Sequence, residues 1–83
     1  MPSAEDQAIE FFVKRAELTS GIASRHCKDN EFEKGMNLYK QSYTFYLKAQ
    51  KSRPDDEDLK AKINDIKIRY QEAKKNAADK SQG

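Results

Sequence analysis

The sequence of this 83-residue chain predicts an all-α fold, an antiparallel three-helix bundle. Three observations carry that expectation. Apolar residues recur at spacings of three, four and seven in three successive segments, the period of a helix and not the alternation of a strand. Two short breaks separate the segments, at Lys28–Asn30 and Ser52–Asp56, and loops that short turn a helix back beside its predecessor. Only 3 Gly and 2 Pro occur, with no Asn-Gly or Asp-Gly pair to close a β-hairpin. The expected helices cover about 4–27, 31–51 and 56–76 within a domain over 1–78, and 79–83 reads as the start of a linker or a disordered tail.

The first helix opens at Ser3, whose hydroxyl can accept the N–H three residues on, with Asp6 placed to reach back as the partner of a capping box. Ala8, Ile9, Phe12, Ala16, Ala23 and Cys27 form its main stripe, and Phe11, Leu18 and Ile22 form a second, nearly opposite one. Gly21 and the Thr19–Ser20 pair weaken the helix midway and leave room for a bend.

Asn30 with Glu33 repeats the capping-box pattern and is expected to start the second helix. Here Phe32, Gly35, Tyr39, Ser42, Tyr46 and Ala49 make a seam. Met36, Tyr43 and Leu47 widen it on one flank, and Leu38 and Phe45 on the other. The arc exceeds the ~100° that a one-sided surface helix needs, so this helix wants neighbours on two sides, or one neighbour and a ligand. Pro54 ends the helical hydrogen bonding and disfavours helix at Arg53. Asp55, Asp56, Glu57 and Asp58 then bring negative charge to the positive end of the third helix. Leu59, Ile63, Ile66, Tyr70, Ala73 and Ala77 form its inward stripe, and Lys74, Lys75 and Lys80 suit its C-terminal end.

Hydrophobic and charged residues each account for 36% of the chain, and mean hydropathy is −1.07. One small domain with a thin core and a well-solvated surface is expected. The 16 basic and 14 acidic side chains leave a net charge of +2, with signs interleaved along the chain, which argues against a nucleic-acid binder. The single cysteine, Cys27, excludes an internal disulfide and fits a reducing compartment. With no long apolar run, a cytoplasmic protein is expected.

Little points to catalysis, a metal or a cofactor. His26 and Cys27 are adjacent and diverge by about 100° on a helix, with no further His or Cys to complete a zinc shell. No Ser–His–acid set and no glycine-rich phosphate loop is present. The aromatic residues of helix 2 fit core packing better than a platform for stacking bases. The outward face of helix 3 holds more interest: Asp65 and Glu72 flank Ile68, which suggests a groove floor for an amphipathic peptide with carboxylates for its basic residues.

The segment Phe32–Ala49 resembles the second helix of MIT (microtubule-interacting and trafficking) domains. The matching positions are Phe32, Glu33, Gly35, Leu38–Tyr39, Ser42, Tyr46 and Leu47–Lys48–Ala49, continuing without a gap to Ile63, Tyr70 and Glu72 in helix 3. Helix 1 matches through Ala16 and Ala23 and begins about two turns earlier than in that family. The resemblance implies a monomeric three-helix adaptor domain, attached to a host such as an AAA ATPase of endosomal sorting. Its partners would be C-terminal MIT-interacting motifs of ESCRT-III-like subunits, docked as a helix between helices 2 and 3 or as an extended segment between helices 1 and 3, a groove that the stripe of Phe11, Leu18 and Ile22 could serve. Endosomal or other membranes would be reached only through these partners. For the helical ligand it implies a groove from Met36, Tyr43, Leu47, Asp65, Ile68, Gln71 and Glu72, with Glu72 pairing a ligand arginine. Gln71 stands where an apolar residue is common in the family, and Lys75 where an acidic one is. The competing readings are a tetratricopeptide-like co-chaperone fragment, suggested by Tyr46, Ala49 and Pro54, and a structural oligomerisation bundle closed through Phe11, Leu18, Ile22 and Ile68.

Overall fold

The computed structural model describes residues 3–82 and contains α1 (Ala4–Lys28), α2 (Phe32–Ser52) and α3 (Glu57–Gln82). Met1, Pro2 and Gly83 lie outside the described residues. The helices form an all-α three-helix bundle, a rod of 53 × 19 × 14 Å in which α2 packs against both α1 and α3. Contacts between helix ends fix the antiparallel order. Arg53, just after α2, meets Asp6 in the first turn of α1, and Lys80 near the end of α3 meets Asn30 just before α2.

The expected core forms on α2 and α3, and on α1 with two exceptions, exposed Ala8 and buried Thr19. On α2, Gly35, Tyr39, Ser42, Tyr46 and Ala49 are buried, and Phe32 is half-buried. On α3, Leu59, Ile63, Ile66 and Ala73 are buried, with Tyr70 and Ala77 half-buried. Each fully buried Leu or Ile contributes about 1.5–3 kcal/mol, so those three aliphatic residues do much to hold α3 in place. On α1, Ile9, Ala16, Thr19 and Ala23 face inward, whereas Ala8 is exposed. Met36, Tyr43 and Leu47 on one flank of α2, and Leu38 and Phe45 on the other, pack half-buried against this core. The wide arc of α2 is thus spent on two neighbours.

Small residues line the α1–α2 contact. A Cβ added to Gly35 would overlap the Cys27 sulfur and approach the Ala23 carbonyl at 3.1 Å. Ser42, fully buried, donates its hydroxyl to the Ala16 carbonyl across the interface at 2.8 Å. That bond satisfies a polar atom that would otherwise cost about 1–3 kcal/mol to bury. Gly21 lies in open space, and α1 runs unbroken through it.

Three local details follow from backbone chemistry. Ser3 and Asp6 form the expected capping box. Asn30 does not cap α2: its φ is 63°, and the residue in the N-cap position is Glu31, with no side-chain capping bond. Asn30 instead supplies the left-handed residue that ends α1. Its N–H donates to the Cys27 carbonyl at 3.1 Å and the Glu31 N–H to the His26 carbonyl at 2.8 Å, the paired bonds of a Schellman motif. Asn tolerates this conformation better than most residues, which is why it can stop one helix rather than start the next.

At the third helix, the Asp56 carboxylate accepts the Leu59 N–H at 3.1 Å and caps α3. The other end corrects the expected tail, since α3 continues to Gln82 rather than stopping near residue 76. Ala77 remains half-buried, and the Lys80 amino group donates to the Asn30 carbonyl at 2.6 Å, so the last turns have something to hold.

Two predictions follow from the packing and the helix-end contacts. Gly21→Ala should raise stability by about 1 kcal/mol, since it relieves a helix-interior glycine without meeting anything. Gly35→Ala should lower it by about 1–2 kcal/mol, overpacking outweighing the same propensity gain. Urea denaturation of the two variants distinguishes them by sign. The second prediction concerns acid. The Arg53 guanidinium holds Asp6 below its ordinary 3.8, helped by Ser3, and His26 then Lys34 hold Glu31 below its ordinary 4.5. Carboxylates depressed in the folded state contribute stability above those ordinary values and lose it as pH falls through the lowered ones. Thermal midpoints should therefore fall as pH drops below about 4.5, with Arg53→Gln showing a shallower fall than the parent.

Candidate functional site

The groove between α2 and α3 is built by the flank of α2 that α3 leaves partly open. Tyr43 and Lys40 contribute from α2, and Ile66, Lys67, Tyr70 and Gln71 from α3, around an open volume of about 290 Å³. Ile66 is buried and forms the floor, while the half-buried rings of Tyr43 and Tyr70 form apolar walls. Exposed Lys40 and Lys67 place positive charge on both helices beside those walls. Such a slot can take the apolar side of a helix or short segment, with acidic groups at its margins.

The seven residues expected at this site are distributed more widely. Tyr43 and Gln71 line the groove. Met36 and Leu47 are half-buried against the core on the same flank of α2. Ile68 is half exposed and Glu72 exposed, and neither lines the groove; Glu72 falls within about 20° of Asp65 on α3. Asp65 faces away, lining a second groove between α1 and α3 with an open volume of about 490 Å³. Its carboxylate there accepts from Arg69 Nε at 2.8 Å.

Sequence reasoning placed Ile66 and Tyr70 in the core stripe and passed over Lys40 and Lys67. Ile66 and Tyr70 lie at the margin of that stripe, so each serves the core and the groove wall together. Lys40 follows Tyr39 directly and stands about 100° from the buried seam, a position that could have marked it as a rim residue.

Small residues open the second groove: Ser20, Gly21 and Ser24 of α1 face Ala61 of α3, with Tyr46 below. Glu17 and Lys62 bridge it at 3.2 Å. The Glu17 carboxylate raises the pKa of Lys62 above 10.5, and Asp65 raises that of Arg69. Both pairs are substantially exposed, so their contribution to stability is small, about 0–1 kcal/mol. Burial pushes the Tyr46 hydroxyl above 10.0, with Glu17 adding to the effect.

Elsewhere, His26 Nδ1 lies 3.0 Å from Glu31 Oε1 in the α1–α2 turn, and the Cys27 thiol abuts Gly35. Burial raises the Cys27 pKa above 9.0, away from thiolate reactivity. Among the described residues no group of three His, Cys, Asp or Glu side chains is placed to hold a metal ion, and no helix is long and apolar enough to cross a membrane. Comparison with known protein families, with curated proteins and with solved structures finds no match for this chain.

The Tyr46 environment has a measurable consequence. Folding favours its neutral phenol, so the stability it contributes is present below the ordinary value of 10.0 and lost as pH rises through the raised one. Ultraviolet titration should include a late component from Tyr46, and Tyr46→Phe should remove it.

Proposed function

We propose that this chain is an MIT-type adaptor domain that binds short C-terminal motifs of ESCRT-III-like subunits and so recruits a larger host protein, such as an AAA ATPase of endosomal sorting. The observation that carries the reading is the open groove between α2 and α3, floored by Ile66 and walled by Tyr43 and Tyr70. It lies along the helix pair in which the MIT-like positions are concentrated, on a bundle of the corresponding topology. The domain supplies a surface and no chemistry of its own.

The groove's charge alters how a ligand would be held. Lys40 and Lys67 favour acidic ligand residues beside the apolar anchors. Asp65 is engaged with Arg69 on the other side of α3. Glu72, seven residues on, falls within about 20° of Asp65 and outside the groove lining, so a ligand arginine would reach Glu72 only from a ligand that crosses the outer face of α3. Ile68 extends the apolar surface one turn before Glu72. A shallow groove that must also order its peptide gives isolated affinities on the order of micromolar, raised by avidity along a polymer.

Titration calorimetry with C-terminal peptides of ESCRT-III subunits tests the assignment. Gln71→Lys, which fills the groove mouth with a charged chain, should weaken binding at least about tenfold while circular dichroism stays unchanged. Glu72→Lys should also weaken it, by removing the ligand's counter-charge. Undiminished binding in both variants would place the ligand elsewhere, and failure of every such peptide to bind the parent would defeat the adaptor reading.

A further inference from the structure

The charges that alternate along the sequence separate in space on α1. Phe11, Leu18 and Ile22 are 57%, 56% and 41% exposed, large values for aromatic and aliphatic side chains in a helix that already buries its other face. At about 100° per residue they fall within roughly 40° of one another, a single outward stripe. Lys14, Arg15 and Arg25 fall within about 60° of its centre, whereas Glu5, Asp6, Glu10 and Glu17 all fall about 100° or more away. Asp6 pairs with Arg53 and Glu17 with Lys62, while the exposed Glu10–Lys14 pair offsets one of the three cations. Asp29, at the C-cap, falls in line with the stripe and places one negative charge at its end.

The surface beside this stripe is filled. Half-buried Phe12 and Phe45 occupy the edge of the α1–α2 contact, with Arg15 lying 5.6 Å from the Phe45 ring centre and Lys48 within 6 Å of both rings. What emerges is a helix face with projecting apolar groups among cations, without the concavity that a peptide helix would need. Its positive charge also opposes pairing with the same face of a second copy.

We propose that the outer face of α1 is a docking surface for an anionic phospholipid bilayer. A helix lying on the membrane buries Phe, Leu and Ile at the headgroup boundary while Lys and Arg meet anionic headgroups, and this face presents both sets together. Three apolar anchors by themselves give weak and reversible attachment. It is physically separate from the α2–α3 groove, so a membrane and a peptide could be held together.

Sedimentation of the full chain with phosphatidylcholine vesicles containing about 30% phosphatidylserine tests the assignment. Retention on those vesicles, little on pure phosphatidylcholine, and release at about 0.5 M salt are expected. Arg25→Gln should lower partitioning about fivefold and Leu18→Gln about tenfold, both with an unchanged circular dichroism spectrum since both side chains are exposed. Gln71→Lys, which blocks the groove on the other side of the bundle, should leave retention intact, so this surface and the adaptor reading fail separately. Absence of retention at low salt would overturn the assignment, as would equal retention on neutral vesicles. A dimer in ultracentrifugation that Leu18→Gln dissolves would give the face to a second copy instead, and binding of a glutamate-rich amphipathic peptide without vesicle retention would give it to an acidic protein.

Discussion

Close approach of α1 to α2 is the constraint on which the rest of the molecule depends. Gly35 has no room for a side chain against Cys27 and Ala23, and Ala16 and Ser42 meet through a hydroxyl–carbonyl bond between two completely buried residues. A chain of this size has little hydrophobic surface to bury, and it compensates by bringing backbones together so that dispersion contacts are dense. The large residues are then left for other duties. Tyr39 and Tyr46 fill the centre, Phe12 and Phe45 seal one edge, and Tyr43 and Tyr70 stand open on the other.

The helical framework was legible because three different signals agreed. Periodicity marked the inward residues of α2 and α3 almost residue for residue, Pro54 marked a break, and Ser3 with Asp6 marked a start. Where a signal had two meanings, sequence reasoning chose wrongly. Asn30 followed by Glu33 has the form of a helix start, yet an asparagine between helices also suits a left-handed stop, and only the backbone angle decides. The end of α3 was hidden for another reason. Nothing local holds Ala77–Lys80 in a helix except ordinary propensity, and the contact that anchors it comes from Asn30, 50 residues away in sequence.

The candidate site was only partly legible, and the reason is angular. On a helix, a rotation of about 100° per residue separates neighbours, so assigning a groove from spacing requires knowing where both flanking helices lie. Gln71 and Tyr43 fell where expected. Asp65 fell on the far side of α3, next to α1, because α3 presents two edges to two different neighbours. Its partner Arg69 lies on the same edge, one turn along, a spacing visible in the sequence but silent about which groove the pair would line.

Because α2 touches both other helices while α1 and α3 face each other across an open channel, the bundle is organised as two adjacent hairpins sharing one helix. Most packing therefore joins segments that follow each other along the chain, and each connection closes only a short loop. Loop closure of that kind costs little entropy, and topologies dominated by it fold on microsecond to millisecond timescales. The shared helix supplies a face to both hairpins, so a change in α2 is felt on both sides of the bundle, whereas a change in α1 or α3 is felt on one.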